Sequence, residues 1–193
     1  MLIIIYIILI FFLFLAVCAV FLMLLYLIYS FIIFFFIGVP FMPTPKKCFK
    51  ILFKELIINP DDVVYDLGCG AGDFLIAARK EFGCGPKLIG YEFSPALVWL
   101  ARFRSYIKKS DINFVRADFL KANISDANVI YLFLVPPVLP KIWQKIKKET
   151  KKGTIVVSLS SSILNVECYK KIKTNPNKKT GSYFYFYKIW HNL

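Results

Sequence analysis

No charged side chain occurs before Lys46. Up to that point only Ser30, Gly38, Pro40, Pro43, Thr44 and Pro45 interrupt an apolar composition. Such a segment has no polar face with which to meet water, so it calls for a bilayer. The stretch 2–37 would run about 54 Å as a helix, against a hydrocarbon core of about 30 Å. No Gly, Pro or Asn marks a turn inside it, which favours one continuous helix; a hairpin bending at 26–30 is the alternative. A cleaved signal peptide is not expected, because there is no basic leading region and no small-residue site closes the run. Leu15-Ala16-Val17-Cys18 faintly matches a lipoprotein box, but Val17 is large where a small residue is needed.

All 25 basic and 12 acidic residues therefore fall after Pro45. There they make up about 25% of the chain, the usual share for a globular domain. The expected organisation is a transmembrane anchor over 1–38, a linker and amphipathic helix over 39–60, and one domain over 61–193. Lys46, Lys47, Lys50 and Lys54 flank the apolar run on one side only, which places the domain on the cytoplasmic face. The later clusters around Lys145–Lys152, Lys170–Lys173 and Lys178-Lys179 are either a second contact with anionic lipid or ordinary solvated surface. Five cysteines without a C-x-x-C pair and a single histidine, His191, three residues from the end, argue against a disulfide framework, a metal site, and Ser-His-Asp or Cys-His catalysis.

Within the domain, Thr44-Pro45 offers a cap and a first-turn proline to a helix carrying Cys48, Ile51, Leu52 and Leu56 at helical spacing. Asn59-Pro60-Asp61 breaks it. A buried strand follows at 63–67, a glycine turn, and a helix over 74–82. The pattern repeats as a strand at 87–91, a turn at 92–94, and a Ser-capped helix from Pro95 to about 108. Further strands are expected at 112–116, 129–135 and 154–159, with a helix over 138–148. Segments 169–173 and 183–190 flank a turn-rich stretch and read as an antiparallel hairpin. Successive strand–helix units imply a parallel sheet, so the fold class is α/β, Rossmann-like, closed by that C-terminal hairpin.

Gly68-Cys69-Gly70-Ala71-Gly72 follows the first strand and opens a helix, where glycines admit positive φ and a ligand can approach converging backbone amides. Three acids stand at the carboxyl ends of strands: Asp66, Glu92 and Asp118. In an open parallel sheet these ends line one crevice. A carboxylate only accepts hydrogen bonds, so Glu92 suits ribose hydroxyls and Asp118 an adenine amine. A dinucleotide fits the spacing to Glu92, but its fingerprint needs a glycine at position 73, where Asp73 would point a negative charge at the pyrophosphate. An adenosyl ligand with an amino-acid tail and a sulfonium tolerates acid better.

The run Val64-Tyr65-Asp66-Leu67-Gly68-Cys69-Gly70-Ala71-Gly72, with Gly90-Tyr91-Glu92 and Arg116-Ala117-Asp118-Phe119, strongly resembles the class I S-adenosyl-L-methionine-dependent methyltransferases. A narrower likeness covers nearly the whole chain. Pro40-Phe41-Met42-Pro43-Thr44-Pro45 after an apolar anchor, Gly90-Tyr91-Glu92-Phe93-Ser94-Pro95, and Phe133-Leu134-Val135-Pro136-Pro137-Val138-Leu139-Pro140 occur in the order of the membrane-anchored protein-lysine methyltransferases. That group includes the enzymes acting on the adenine nucleotide translocase and the ATP synthase c subunit. The resemblance implies methyl transfer to a lysine ε-amine of a membrane protein, with the lipid bilayer as a second partner. It implies that Asp66, Gly68, Cys69, Gly70, Gly72 and Glu92 hold the methionine tail and ribose, and that Asp118 and Phe119 hold the adenine. Where the family usually has an aspartate in the loop and an arginine soon after, this chain has Ala71 and Asp73.

Val135-Pro136-Pro137-Val138 lacks the polar first residue and aromatic last residue that amino-methyltransferases of adenine bases use, so a nucleic-acid substrate is not expected despite a net charge of +13. No residue stands out as a base. Tyr131, Phe133 and Pro136 are candidates for the wall of the substrate pocket, against the plainer reading of a core stripe. Other readings of the same residues are a methyltransferase for a membrane-soluble small molecule, such as a quinone or isoprenoid, and a non-catalytic adenosyl-binding membrane module.

Overall fold

The computed structural model of the chain describes residues 2–37, 44, 46–175 and 181–190. The sequence features at 40–43, Pro45, 176–180 and His191 lie outside the described residues. The chain divides into two units, Met1–Pro40 and Phe41–Leu193.

Among the described residues, the first unit is a single helix, α1 (Leu2–Ile37), with no break at 26–30. Its stretch Ile3–Phe31 is long and apolar enough to cross a membrane, and none of it is buried.

The second unit opens with α2 (Lys46–Leu52). The helix stops short of the expected Leu56, and the chain continues as a turn in which Leu56 N–H still reaches Leu52 O at 2.9 Å. Thr44, expected as the cap of this helix, is buried with its hydroxyl 3.5 Å from that of Tyr131. Asp62 then closes the Asn59-Pro60-Asp61 break, its Oδ2 accepting from Asn59 N–H at 2.7 Å.

The remaining elements follow in order: β1 (Val63–Leu67), α3 (Asp73–Phe82), β2 (Lys87–Glu92), α4 (Pro95–Ile107), β3 (Asn113–Arg116), β4 (Val129–Leu132), a short 3-10 turn at Pro136–Val138, α5 (Leu139–Glu149), β5 (Ile155–Leu159), β6 (Lys170–Lys173) and β7 (Tyr183–Lys188). They build one sheet of order β3-β2-β1-β4-β5-β7-β6. Strands β1 to β5 pair in parallel, while β7 runs antiparallel to both β5 and β6. The order reverses between β1 and β4, so the crevice expected of an open parallel sheet lies at their carboxyl ends.

Strand β4 ends three residues before the expected Val135. Its pairings end at Leu132, opposite Leu67 of β1 and Ser158 of β5, and Pro136-Pro137 then turns the chain. Alternation along the strands separates two cores. Val64, Val129, Tyr131, Val157, Phe184 and Phe186 face α2, α3 and α4, where Phe74 stacks on Tyr131 at 4.1 Å. On the other face α5 packs, with Trp143 5.5 Å from Tyr187. The described lysine clusters are partly absorbed by the fold: Lys145 pairs with Glu149 at 2.5 Å, Lys170 pairs with Glu55, and Lys171 sits 4.2 Å over the ring of Tyr183.

Gly90, in the middle of β2, lies where the α3 and α4 side of the sheet leaves no room for a side chain. A Cβ there would lie 2.7 Å from Cys69 Sγ and 2.9 Å from both Leu75 and Phe114. Gly90→Ala is therefore expected to destabilise the domain by about 1–3 kcal/mol, the usual consequence of overpacking, as measured by urea unfolding.

Candidate functional site

The glycine loop between β1 and α3 holds Gly68, Gly70 and Gly72 at φ of 83°, 53° and 77°. Side chains are excluded at two of them by contact as well as by φ. A Cβ on Gly68 would meet Leu134 Cδ2 at 2.9 Å, and one on Gly72 would meet the Phe114 ring at 2.6 Å. The amides do not converge on open space as the sequence leads one to expect. Gly68 N–H and Cys69 N–H donate to Tyr91 O at 2.8 and 3.0 Å, Gly70 N–H donates to Glu92 Oε2 at 3.0 Å, and Gly72 N–H donates to Cys69 O at 2.8 Å. Register explains this: Leu67 pairs with Tyr91, so the loop leaves β1 alongside the end of β2 and is sewn to it. Cys69 takes part through its backbone and through its thiol, which donates to Gly70 O at 3.9 Å. Its thiol is buried beneath Gly90, with its pKa pushed up by burial and then by the charges of Asp66 and Glu92.

Three carboxylates gather around this loop. Asp66 is 3% exposed, and no described residue donates a hydrogen bond to its side chain. Burial raises its pKa well above the ordinary 3.8, and the negative charges of Glu92 and then Asp73 raise it further. Glu92 uses both oxygens, accepting from Gly70 N–H and from Ser94 N–H at 2.8 Å. Each oxygen keeps a lone pair for a ligand hydroxyl. Asp118, just beyond β3, turns one oxygen onto Leu120 N–H at 2.9 Å. Beside it, Phe119 brings its ring edge to 3.9 Å from where a Gly68 Cβ would stand.

Asp73 is not aimed into the crevice as an unpaired charge. It starts α3, where a carboxylate is favourable, and its Oδ1 accepts from Arg104 Nη2 at 2.6 Å, while Arg104 Nη1 donates to Ala71 O at 2.6 Å. The loop thus has an arginine beside it, delivered by α4. Sequence reasoning missed Arg104, although it falls among Val98, Ala101 and Ser105, the buried stripe of α4, where a cation signals a partner. It also missed Leu134, which closes over Gly68.

Of the pocket candidates, Tyr131 packs as core, fully buried under Phe74, with its hydroxyl against Thr44. Its pKa is driven well up, chiefly by burial. Phe133 is half-buried at the edge of the same core, and Pro136 is exposed.

The arrangement thus gathers Asp66, Gly68, Gly70, Gly72, Glu92 and Phe119 at the mouth of β1 and β2. It supplies acceptors and negative charge and leaves Asp66 without a donor. These residues fit a ligand that brings its own cations and hydroxyls, as the ammonium, sulfonium and ribose of S-adenosyl-L-methionine do. They fit a pyrophosphate poorly.

A raised folded-state pKa means that the folded chain binds more protons than the unfolded one between pH 3.8 and the elevated value. Stability linked to Asp66 is therefore present in acid and lost as the pH rises through that window. Asp66→Asn is expected to raise Tm at neutral pH, with the gain shrinking as the pH falls toward 4 in differential scanning calorimetry. A Tm difference independent of pH would contradict this.

The ANTKMT methyltransferase domain model matches residues 66–170, just over half of the chain. A protein-lysine N-methyltransferase of Saccharolobus islandicus is 36% identical over 124 residues, covering 62% of this chain and 75% of that protein. A lysine N-methyltransferase of Xenopus laevis, named for the ATP synthase c subunit, is 30% identical over 122 residues, covering 62% of this chain and 52% of that one. The chain thus spans only about half the length of this vertebrate relative. Among solved structures, an RNA methyltransferase from Salinibacter ruber in complex with S-adenosyl-L-homocysteine superimposes with a TM-score of 0.71 and 27% identity, over 79% of this chain and 96% of that one. The fold is that of the class I methyltransferases, whose cofactor is S-adenosyl-L-methionine, and the chain belongs to the ANTKMT methyltransferase domain family.

Proposed function

We propose that the chain is a methyltransferase anchored in a membrane by α1, acting on the ε-amine of a lysine in a membrane protein. The observation that carries this reading is the pairing, in one chain, of a donor-poor acidic crevice with a helix exposing apolar side chains throughout Ile3–Phe31. The lysines that follow, at 46, 47, 50 and 54, favour a domain on the cytoplasmic side. The relatives named for lysines of the ATP synthase c subunit and of the adenine nucleotide translocase support the substrate class.

When bound, S-adenosyl-L-methionine supplies an electrophilic methyl on a sulfonium. In this reading Asp66 takes the ammonium of its tail, which pulls the carboxyl back toward its ionised form. Glu92 accepts from the ribose with the lone pairs that Gly70 and Ser94 leave over, and Asp118 and Phe119 hold the adenine. The chain's contribution to rate is placement of the two reactants in line. An incoming lysine must be neutral, and the apolar surroundings of Leu134 and Phe133 lower its pKa by desolvation.

Full-length protein in detergent, given radiolabelled cofactor and isolated membranes, is expected to label protein bands that yield methyl-lysine on hydrolysis. Label in the organic extract would replace the lysine with a lipid-soluble acceptor, and label in RNA would overturn the protein substrate altogether. Asp66→Ala and Glu92→Ala are each expected to weaken cofactor binding by about ten- to a hundred-fold in calorimetric titration, the range for a hydrogen bond to a charged group. Unchanged affinity in both would overturn the assignment of the crevice.

A further inference from the structure

Helix α4 buries Val98, Ala101 and Ser105 but leaves a second apolar face in the open. Trp99 is 66% exposed, Phe103 47%, Tyr106 83% and Ile107 62%. These positions recur at i, i+4, i+7 and i+8, so they share one stripe. Trp99 and Phe103 are already stacked, with ring centroids 5.4 Å apart and planes 3° from parallel. Leu100 widens the stripe, and the exposed Lys108 and Lys109 end it. A folded domain does not usually leave this much contiguous aromatic surface to water unless something covers it.

We infer that this face of α4 docks on the surface of an anionic bilayer. The inference rests on the reading of α1 as a membrane anchor. Three observations select lipid over another occupant. Tryptophan and tyrosine with aliphatic neighbours and terminal lysines make up the composition of a helix lying in a bilayer interface, with rings at the headgroup level and ammonium groups among the phosphates. The chain carries +13, and the lysines at the end of the stripe complement an anionic leaflet. An anchored domain also meets that surface at high effective concentration, so even a modest patch is enough. Helix α4 begins three residues after Glu92, so the face that docks and the crevice that binds cofactor belong to adjoining elements. Docking would hold the crevice near the headgroups, within reach of a lysine close to the membrane.

The test uses full-length protein reconstituted in vesicles of phosphatidylcholine, with or without phosphatidylserine, some containing brominated acyl chains. Flotation that survives carbonate washing reports the anchor, and quenching of Trp99 reports α4. Trp143 and Trp190 are replaced by Phe to leave Trp99 alone. As a second measurement, the Trp99→Phe variant is subtracted from the chain with all three tryptophans. In anionic vesicles Trp99 emission is expected to shift to the blue and to be largely lost to brominated lipid. Lys108→Gln and Lys109→Gln are each expected to lower the docked population ratio about five-fold, as does removing a charge near an anionic leaflet. Flotation with Trp99 unquenched overturns this inference alone. Loss of flotation overturns the anchor and this inference with it. Crosslinking between copies through Trp99-proximal sites in place of quenching would assign the face to a second copy and overturn the bilayer as its occupant.

Discussion

Glu92 ends β2 with both carboxylate oxygens engaged, one on Gly70 N–H and the other on Ser94 N–H. Through those two bonds a single side chain ties the loop after β1 to the turn that starts α4. Tyr91 O, one residue earlier, holds Gly68 and Cys69 to the same strand end. Ser94 in turn caps α4, its Oγ accepting from Leu97 N–H. Arg104, from the far turn of that helix, then reaches back to Ala71 O and Asp73. The glycine loop is thus held from both ends by hydrogen bonds that close a circuit, and coupled bonds of this kind act as a unit. The crevice is shaped before any ligand arrives, which is the condition under which binding loses least to ordering the protein.

Much of the fold was readable because its signals are local. Ser94 before Pro95 marks the start of α4 from neighbouring residues alone, and the turn at Asn59-Pro60-Asp61 is equally self-contained, although α2 has already ended at Leu52. The apolar run of α1 needs no partner to be recognised. Three of the misreadings share a cause: each depended on what stands opposite. Where β4 stops is set by the pairings with β1 and β5 and by the turn at Pro136-Pro137, not by the apolar content of Phe133 to Val135. Asp73 looked like a charge facing a ligand because its counter-ion lies 31 residues away on another helix. The loop amides looked available because only the Leu67–Tyr91 register reveals that β2 takes them. Which residues gather at the mouth of β1 and β2 was legible as composition, whereas which of their hydrogen bonds are already used was not.

Asp66 shows the fold carrying a conflict that its core does not require. A carboxyl largely withdrawn from water, next to two other acids, opposes folding on desolvation and on charge. Departures from local consistency of this kind concentrate at binding sites. The same isolation makes the group respond strongly to an incoming cation, so the energy withheld from stability becomes available to discriminate a charged ligand from a neutral one.

The outer edge of the sheet carries a different consequence. Strand β6 is Lys170-Lys171-Ile172-Lys173, paired on one side to β7 and, among the described residues, joined by no strand on the other. Lys170 is drawn to Glu55, and Lys171 lies over the rings of Tyr183 and Tyr185. An edge strand with free backbone groups is a template for further strands. A short strand with a cation at three of its four positions repels its own copy. The lysines of β6 thus guard the sheet against polymerising through its last strand.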